Sequence, residues 1–345
     1  MRHVAGAAGP PDGRYDADIV ILSLDRPEET VAAIGSALAQ SGISRHVFVV
    51  DQGSRPEALA RIAQAVDGRA DATLVSLGRN LGVPGGRNAG TRLGHGTIIA
   101  AIDNDAEFAA PDVVARAAAA FAHDPSLGAI GFRILVDATG EDDASSWGYA
   151  ASLRGRAAGC FDAVTFVGCG HAIRRQTWDD AGAYDEALFF TWEEFDFCQR
   201  AIARGWRIAY RGQLCVRHKV CPEQKRGRSD DRWFYVVRNR LYIARKWGMG
   251  WTALAPRSAA YLAKGAYNGK AWQTVRAVAA AWAMARRLPP PLRMGYAARA
   301  YVTANDAAHR GSVLTRLRRE VLVRLPATPK STSRATWRGS GALLR

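Results

Sequence analysis

The sequence predicts an α/β fold in which a mostly parallel, Rossmann-like sheet is flanked by helices and followed by a basic helical extension. Two observations carry that reading. Apolar runs of strand length alternate with stretches of helical periodicity through the first half of the chain, the pattern of a parallel sheet covered on its faces. Three of the four runs end directly in an aspartate, Asp25, Asp51 and Asp103. Ligands of open α/β sheets bind beyond the carboxyl ends of the strands, so these acids are expected to share one crevice.

Residues 1–16 lack a continuous apolar run and are expected to form a flexible segment. Strands are predicted over 18–24, 46–50, 72–77 and 97–102, with helices near 29–39, 56–66, 86–93 and 111–123. The folded domain is placed at 17–222. From Val220 on, the pattern is helical, with arginines and lysines interspersed among tryptophan, tyrosine and alanine, which defines a second unit at 223–325. The Pro-, Ser-, Thr- and Arg-rich residues 326–345 read as a disordered tail.

A chain of 345 residues with 48% hydrophobic content can bury one large core or two smaller ones. Its net charge of +15 is unevenly spread. Acidic residues are in slight excess up to Lys219, and basic residues outnumber them several-fold afterwards. A basic extension meets either nucleic acid or an anionic membrane face; no zinc-finger spacing or RNP-type motif supports nucleic acid, so none is expected. Two readings of the extension stay open, a helix lying in the membrane interface and a solvated basic face packed on the first domain. The apolar run at 277–285 is too short to span a bilayer, so a cytoplasmic protein is expected, peripheral on the inner face of the cytoplasmic membrane under the first reading. The five cysteines form no C-x-x-C pair, which argues against a zinc site and a disulfide framework.

The chemistry is expected in four places. Gly78-Arg79-Asn80-Leu81-Gly82-Val83-Pro84-Gly85-Gly86-Arg87-Asn88-Ala89-Gly90 lets backbone approach a ligand and adds arginine donors, although a plain strand-to-helix connection explains it equally well. It is not a Walker loop, and Ser23-Leu24-Asp25-Arg26-Pro27 lacks the G-x-G-x-x-G fingerprint, which disfavours a nicotinamide dinucleotide. Asp103-Asn104-Asp105 can turn both carboxylates to one ligand, and hard oxygen donors at that spacing suit Mg²⁺ or Mn²⁺ bridging two phosphates. In Trp192-Glu193-Glu194-Phe195-Asp196, aromatic crowding and like charge push carboxyl pKa values toward general-base strength, whereas Thr191-x-x-Glu194 also reads as a capping box. His218 follows the strand-like Leu214-Cys215-Val216; a core or surface histidine is the simpler reading, and its place permits a metal ligand.

Taken together, Val49-Val50-Asp51-Gln52-Gly53-Ser54, Asn80-Leu81-Gly82 with Gly85-Gly86-Arg87-Asn88-Ala89-Gly90, Asp103-Asn104-Asp105, Gly182-Ala183-Tyr184-Asp185-Glu186 and Phe189-Phe190-x-Trp192-Glu193-Glu194-x-Asp196 resemble the family-2 inverting glycosyltransferases of the GT-A fold. The resemblance spans about residues 17–247 and is greatest to the rhamnosyltransferase-like and galactofuranosyltransferase-like branch, in which His218 and Arg238-Asn239 have counterparts. It implies that Asp25 and Asp51 line a nucleoside pocket, that Arg79, Asn80, Arg87 and Asn88 lie near base and diphosphate, and that Asp103 faces ribose or metal. It further implies Asp105 and His218 as metal ligands and Glu194 as catalytic base, with Glu193 the alternative and Asp196 in the same cluster. Acceptor contacts are expected from Gly168, Cys169, Gly170 and Trp192, and from Trp147, since aromatic faces stack on sugar rings.

The expected activity is transfer of a sugar, with inversion, from a UDP- or dTDP-sugar to the hydroxyl of a glycan, lipid-linked or small-molecule acceptor in cell-surface polysaccharide or glycoconjugate synthesis. A nucleotidyltransferase with a similar acidic metal site, and a noncatalytic sugar-binding or membrane adaptor, are the competing classes. The former expects a glycine-rich basic loop directly after the first strand, which Leu24-Asp25-Arg26-Pro27 does not supply.

Overall fold

β2 (Ala17–Ser23) is buried at every position, because both faces of this strand are covered and its centre, Ile19-Val20-Ile21-Leu22, is accordingly an apolar run rather than an alternation. A computed structural model describes residues 1–219 and 229–310. In it, β2 pairs in parallel with β3 (Arg45–Asp51) and β5 (Ile98–Ile102), and β3 pairs with β4 (Ala72–Ser76). The crossovers are α1 (Pro27–Leu38), α2 (Pro56–Val66) and α3 (Gly82–Thr91). Pro27 and Pro56 open the first two, where a missing N–H costs nothing. Gly90 lets α3 lie directly on the sheet, since a Cβ there would meet Val20 Cγ1 at 2.6 Å and Val50 Cγ2 at 2.9 Å.

Six further strands complete one sheet among the described residues, in the order β1-β4-β3-β2-β5-β9-β7-β10-β6, with β8 on β10. They are β1 (Arg2–Gly6), β6 (Ala106–Phe108), β7 (Leu127–Val136), β8 (Cys160–Ala163), β9 (Gly170–Arg174) and β10 (Arg207–His218). β9 runs antiparallel between β5 and β7, so the sheet is mostly rather than wholly parallel. α4 (Val113–His123), α5 (Arg175–Ala181) and α6 (Glu193–Ala203) cover it. Ile19, Ile21, Val47 and Val49 pack on one face, and Val20, Phe48, Ile99 and Ala101 on the other.

The N-terminus differs from expectation. Residues 2–6, within the stretch predicted to be flexible, pair antiparallel with β4 from Arg2 opposite Ser76 to Gly6 opposite Thr73. The strand caps the open edge of β4, and only Ala5 of its side chains is buried, so the sequence carries little apolar signal.

After β10 come α7 (Ser229–Lys246), α8 (Trp251–Tyr267), α9 (Ala271–Ala285) and α10 (Tyr296–Asn305). The first three share a core of Trp233, Val237, Leu241, Leu254, Tyr261, Ala277 and Ala281. α7 also packs through Tyr242 and Ile243 against Leu188, Trp192 and Phe195, which ties it to the segment leading into α6. Among the described residues no helix is long and apolar enough to cross a membrane. The four described cysteines are free. Cys221, the 222/223 boundary and the predicted tail lie outside the described residues.

Candidate active site

The acidic triplet sits where β5 ends, and its neighbours come from distant parts of the chain. Arg87, on α3 and buried, donates to the carbonyls of Val20 at 2.5 Å and Ile102 at 2.9 Å, and to Asp103 Oδ1 at 2.8 Å. The same Nη2 lies 3.5 Å from the Gly168 carbonyl. Asn104 turns away to donate to Thr30 at 3.2 Å, leaving Asp103 and Asp105 toward the cleft. Asp105 is held by Arg26 at 2.6 Å; Asp25 and Arg26 adopt left-handed φ values of 56° and 55°, which folds that guanidinium back over the triplet.

Antiparallel pairing of β6 with β10 puts His218 opposite Ala106, the residue after Asp105. His218 Nε2 lies 3.6 Å from Asp105 Oδ2, and Nδ1 lies 2.8 Å from Asp143 Oδ2. Burial alone would lower the imidazole pKa, but hydrogen bonds and charge from Asp105 and then Asp143 raise it to about 9. Burial would raise Asp105, and the His218 and Arg26 contacts outweigh it, holding the carboxyl at about 2. Asp143 was not singled out by sequence. It is buried, it takes hydrogen bonds from Ser145 and Ser146, and nothing in Asp142-Asp143 marks it apart from a turn.

The second cluster is shaped by strain. Phe189, Thr191 and Trp192 have φ of 58°, 63° and 77°, unusual for side chains of this size. α6 starts at Glu193 with no side-chain cap, so the capping box expected from Thr191 and Glu194 is not made; its Ncap, Trp192, is left-handed instead. The strained segment is gripped from outside. Asn239, fully buried on α7, donates from Nδ2 to the carbonyls of Leu188 at 2.9 Å, Phe190 at 2.9 Å and Thr191 at 2.8 Å. Arg238 adds donors to Ala187 and Leu188. From the other side, Val83 N–H donates to the Phe189 carbonyl at 2.8 Å, and Gly82 admits that carbonyl where any Cβ would collide with it.

So positioned, the Glu194 carboxylate lies over Gly168, in space a Cβ there would fill. Burial raises Glu194 to about 7; the helix amide opposes this and the charge of Asp103 adds to it. Glu193 is more deeply buried, and burial first and Glu194 second push it well above the ordinary carboxylate range. Of the pair, Glu194 has the strength of a base near neutrality.

Other predicted residues are placed differently. Asp196 is fully buried and bound to Arg200 and Lys246, both at 3.0 Å, which makes it an anchor between α6 and α7 rather than a group facing the cleft. Asp51 is likewise buried, accepting from Gly53 and Ser54 amides at 3.1 Å and Ser76 at 2.8 Å. Asn88 holds Tyr184 and Glu186 and is buried. Asp25, Arg79 and Asn80 are the more open members, with Asp25 accepting from the Arg55 amide at 3.0 Å and Asn80 from the Gly82 amide at 2.8 Å. Gly170 is a packing glycine, since a Cβ there would meet Val216 at 2.8 Å. Trp147 donates to the Ala150 carbonyl and packs with Tyr149, Phe161 and Tyr210, a core role. Trp192 is half-buried beneath the Arg240 guanidinium, 5.0 Å from its ring centre.

Residues 18–181 match the family model described as glycosyl transferase family 2. That stretch of the chain belongs to the family. It contains the Asp103-Asn104-Asp105 triplet and Gly168, and ends before Glu193, Glu194 and His218. Over 90 residues the chain is 39% identical to the succinoglycan biosynthesis protein ExoO of Rhizobium meliloti (strain 1021), covering 26% of this chain and 25% of that protein. The chain therefore spans about a quarter of the length of this curated relative. In fold it is similar to the mannosyltransferase PcManGT from Pyrobaculum calidifontis in complex with GDP-Man and Mn²⁺, at 19% identity and a TM-score of 0.54, over 92% of this chain and 87% of that one. It is also similar to GalNAc-T7 with UDP, GalNAc and Mn²⁺, at 15% identity and a TM-score of 0.55, over 91% of this chain and 55% of that one. These likenesses establish the GT-A fold.

Proposed function

We propose that the protein is an inverting, metal-dependent glycosyltransferase that moves a sugar from a UDP- or dTDP-sugar to an acceptor hydroxyl in polysaccharide or glycoconjugate synthesis. One observation carries the reading. Arg87 joins Asp103 to the Gly168 carbonyl, and the Glu194 carboxylate lies on Gly168, so the base and the acidic triplet border one cleft. Glu194 takes the proton of the acceptor hydroxyl as it attacks the anomeric carbon from the face opposite the leaving group, and inversion follows from that placement. Burial, and then the charge of Glu194, push the Glu193 carboxyl well above the ordinary carboxylate range, which disfavours a second negative charge beside Glu194. The polysaccharide context is supported by the partial likeness to ExoO.

The donor set suits Mg²⁺ or Mn²⁺, and both solved neighbours are described with Mn²⁺. Asp105 and His218 present oxygen and nitrogen 3.6 Å apart, with Asp103 beside them; these would hold the ion. Among the described residues no three His, Cys, Asp and Glu side chains are pre-assembled around a metal position, and Arg26 occupies the Asp105 carboxylate. When bound, the ion neutralises charge on the departing nucleoside diphosphate. Release of nucleotide from a panel of UDP-, dTDP- and GDP-sugars, with and without Mn²⁺, tests the reading; preference for guanosine donors would overturn its donor assignment. A nucleotidyltransferase role is disfavoured because the turn after β2 points Arg26 at Asp105 and offers no glycine-rich cradle.

For peripheral attachment to an anionic membrane, the support is an apolar surface beside basic charge. Tyr267 and Trp272, 60% and 68% exposed, flank the turn between α8 and α9, with Val275 one turn further along.

A further inference from the structure

Beside the donor cleft lies an open groove of about 820 Å³ whose walls are α6, α7 and α8, a volume within the range of roughly 300–1,000 Å³ typical of ligand sites. Its composition is specific. Trp192 and Phe195 lie on one face of α6 and its N-cap, and Trp247 faces them from the end of α7. Arg240, over the Trp192 ring, and Arg257 and Arg310 line the same groove. Asp306 is the one acidic side chain among the described residues of the wall, and it is committed to Arg310 at 2.7 Å. Arg257 has no ion-pair partner among the described residues, so the groove keeps an excess of positive charge over aromatic surface.

The groove adjoins the reacting centre. Trp192 immediately precedes the carboxylate pair, and Tyr149 lines both the groove and a smaller cavity walled by Asp143 and Val167, the neighbours of His218 and Gly168. Aromatic faces take the apolar faces of sugar rings, and guanidinium forks take carboxylate or phosphate oxygens in pairs. A neutral glycan seated here would desolvate the Arg257 guanidinium and give it no charged partner, a cost that selects against it.

We infer that this groove is the acceptor site and that it takes a saccharide bearing a negative charge, a carboxylate or a phosphate, on a residue beyond the one that is glycosylated. The inference rests on the transferase reading and deepens it. Its test is calorimetric titration of the full chain with tetragalacturonate, with maltotetraose, and with maltotetraose carrying a terminal phosphate. At least tenfold tighter binding of one charged saccharide than of maltotetraose is expected, and which of the two binds identifies the anion. Arg257→Gln is expected to cost that saccharide about tenfold in affinity, while Arg61→Gln on α2 leaves it unchanged. Equal binding of charged and neutral saccharides overturns the inference. So does an equal loss in Arg61→Gln, which marks general polyanion attraction, or a loss in Arg257→Gln confined to binding of phosphatidylglycerol vesicles. Nucleotide release by the unsubstituted protein tests the transferase reading separately, so a protein that cleaves donors but ignores saccharide charge contradicts this inference alone.

Discussion

Asn239 Nδ2 donates to the Thr191 carbonyl at 2.8 Å, two residues before the carboxylate pair, and through that contact the C-terminal helices reach the proposed catalytic base. Left-handed backbone at Phe189, Thr191 and Trp192 costs on the order of 1–3 kcal/mol per residue and persists only where the surroundings impose it. Asn239→Ala removes the donor that three carbonyls share. The expected result is a fall in kcat of tenfold or more with a smaller change in donor KM, together with a stability loss of about 1–3 kcal/mol by denaturant unfolding. A variant with wild-type kcat would show that the segment holds its shape unaided.

Glu194 is expected to set the acidic limb of the pH–rate profile. With burial raising its pKa to about 7, kcat falls as pH drops through that value and levels off above it. Glu194→Gln should lower kcat by about a hundredfold or more and abolish the limb. Stability follows the same group with a definite sign. A carboxyl raised in the folded state binds its proton more tightly there than in the unfolded chain, where it titrates near ~4.3. Its favourable contribution is present below that unfolded value and is lost as pH rises to about 7. Thermal melts should therefore show Glu194→Gln gaining on the wild type between these values and holding the gain above them.

Gly168 and Gly170 separate two roles that look alike in sequence. A Cβ on Gly168 would occupy the place of the Glu194 carboxylate, so Gly168→Ala should reproduce much of the kcat loss of Glu194→Gln. A Cβ on Gly170 would press on Val216 and Phe132, so Gly170→Ala should cost about 1–3 kcal/mol of stability instead. Parallel rate measurements and unfolding curves on both variants distinguish these outcomes.

If the turn between α8 and α9 meets a membrane, Trp272→Ser should weaken sedimentation with phosphatidylglycerol vesicles several-fold and leave the melting temperature unchanged, because the indole is 68% exposed and supports no core. Unchanged sedimentation would favour the solvated basic face.

Legibility followed the range of the interactions. The β2, β3, β4 and β5 runs and their helices were readable because a strand buried on both faces is written as a local apolar run, and Pro27 and Pro56 mark helix starts in place. The triplet was readable for the same reason, since it directly follows β5. What escaped was set by contacts far apart in sequence. Asp143 meets His218 only because β10 returns beside β7, Asp196 looks like a third site acid until Lys246 is seen against it, and Arg2–Gly6 is a strand only because β4 offers it an edge. Arg87 and Asn88 stand side by side on α3, yet one reaches Asp103 and the other only the Tyr184–Glu186 turn. Arg238-Asn239 carries no local signal of its task, which shows only in the bonds of Asn239 to the Leu188, Phe190 and Thr191 carbonyls.

The central claim is that Asp105 and Glu194 serve one reaction. Nucleotide release from UDP- and dTDP-sugars should be measured for the wild type and Asp105→Ala with Mn²⁺, and for the wild type after removal of divalent ions by EDTA. The account predicts release that depends on the ion and falls by at least as much in Asp105→Ala as in Glu194→Gln, about a hundredfold or more. Undiminished release in EDTA, or from Asp105→Ala, would contradict it.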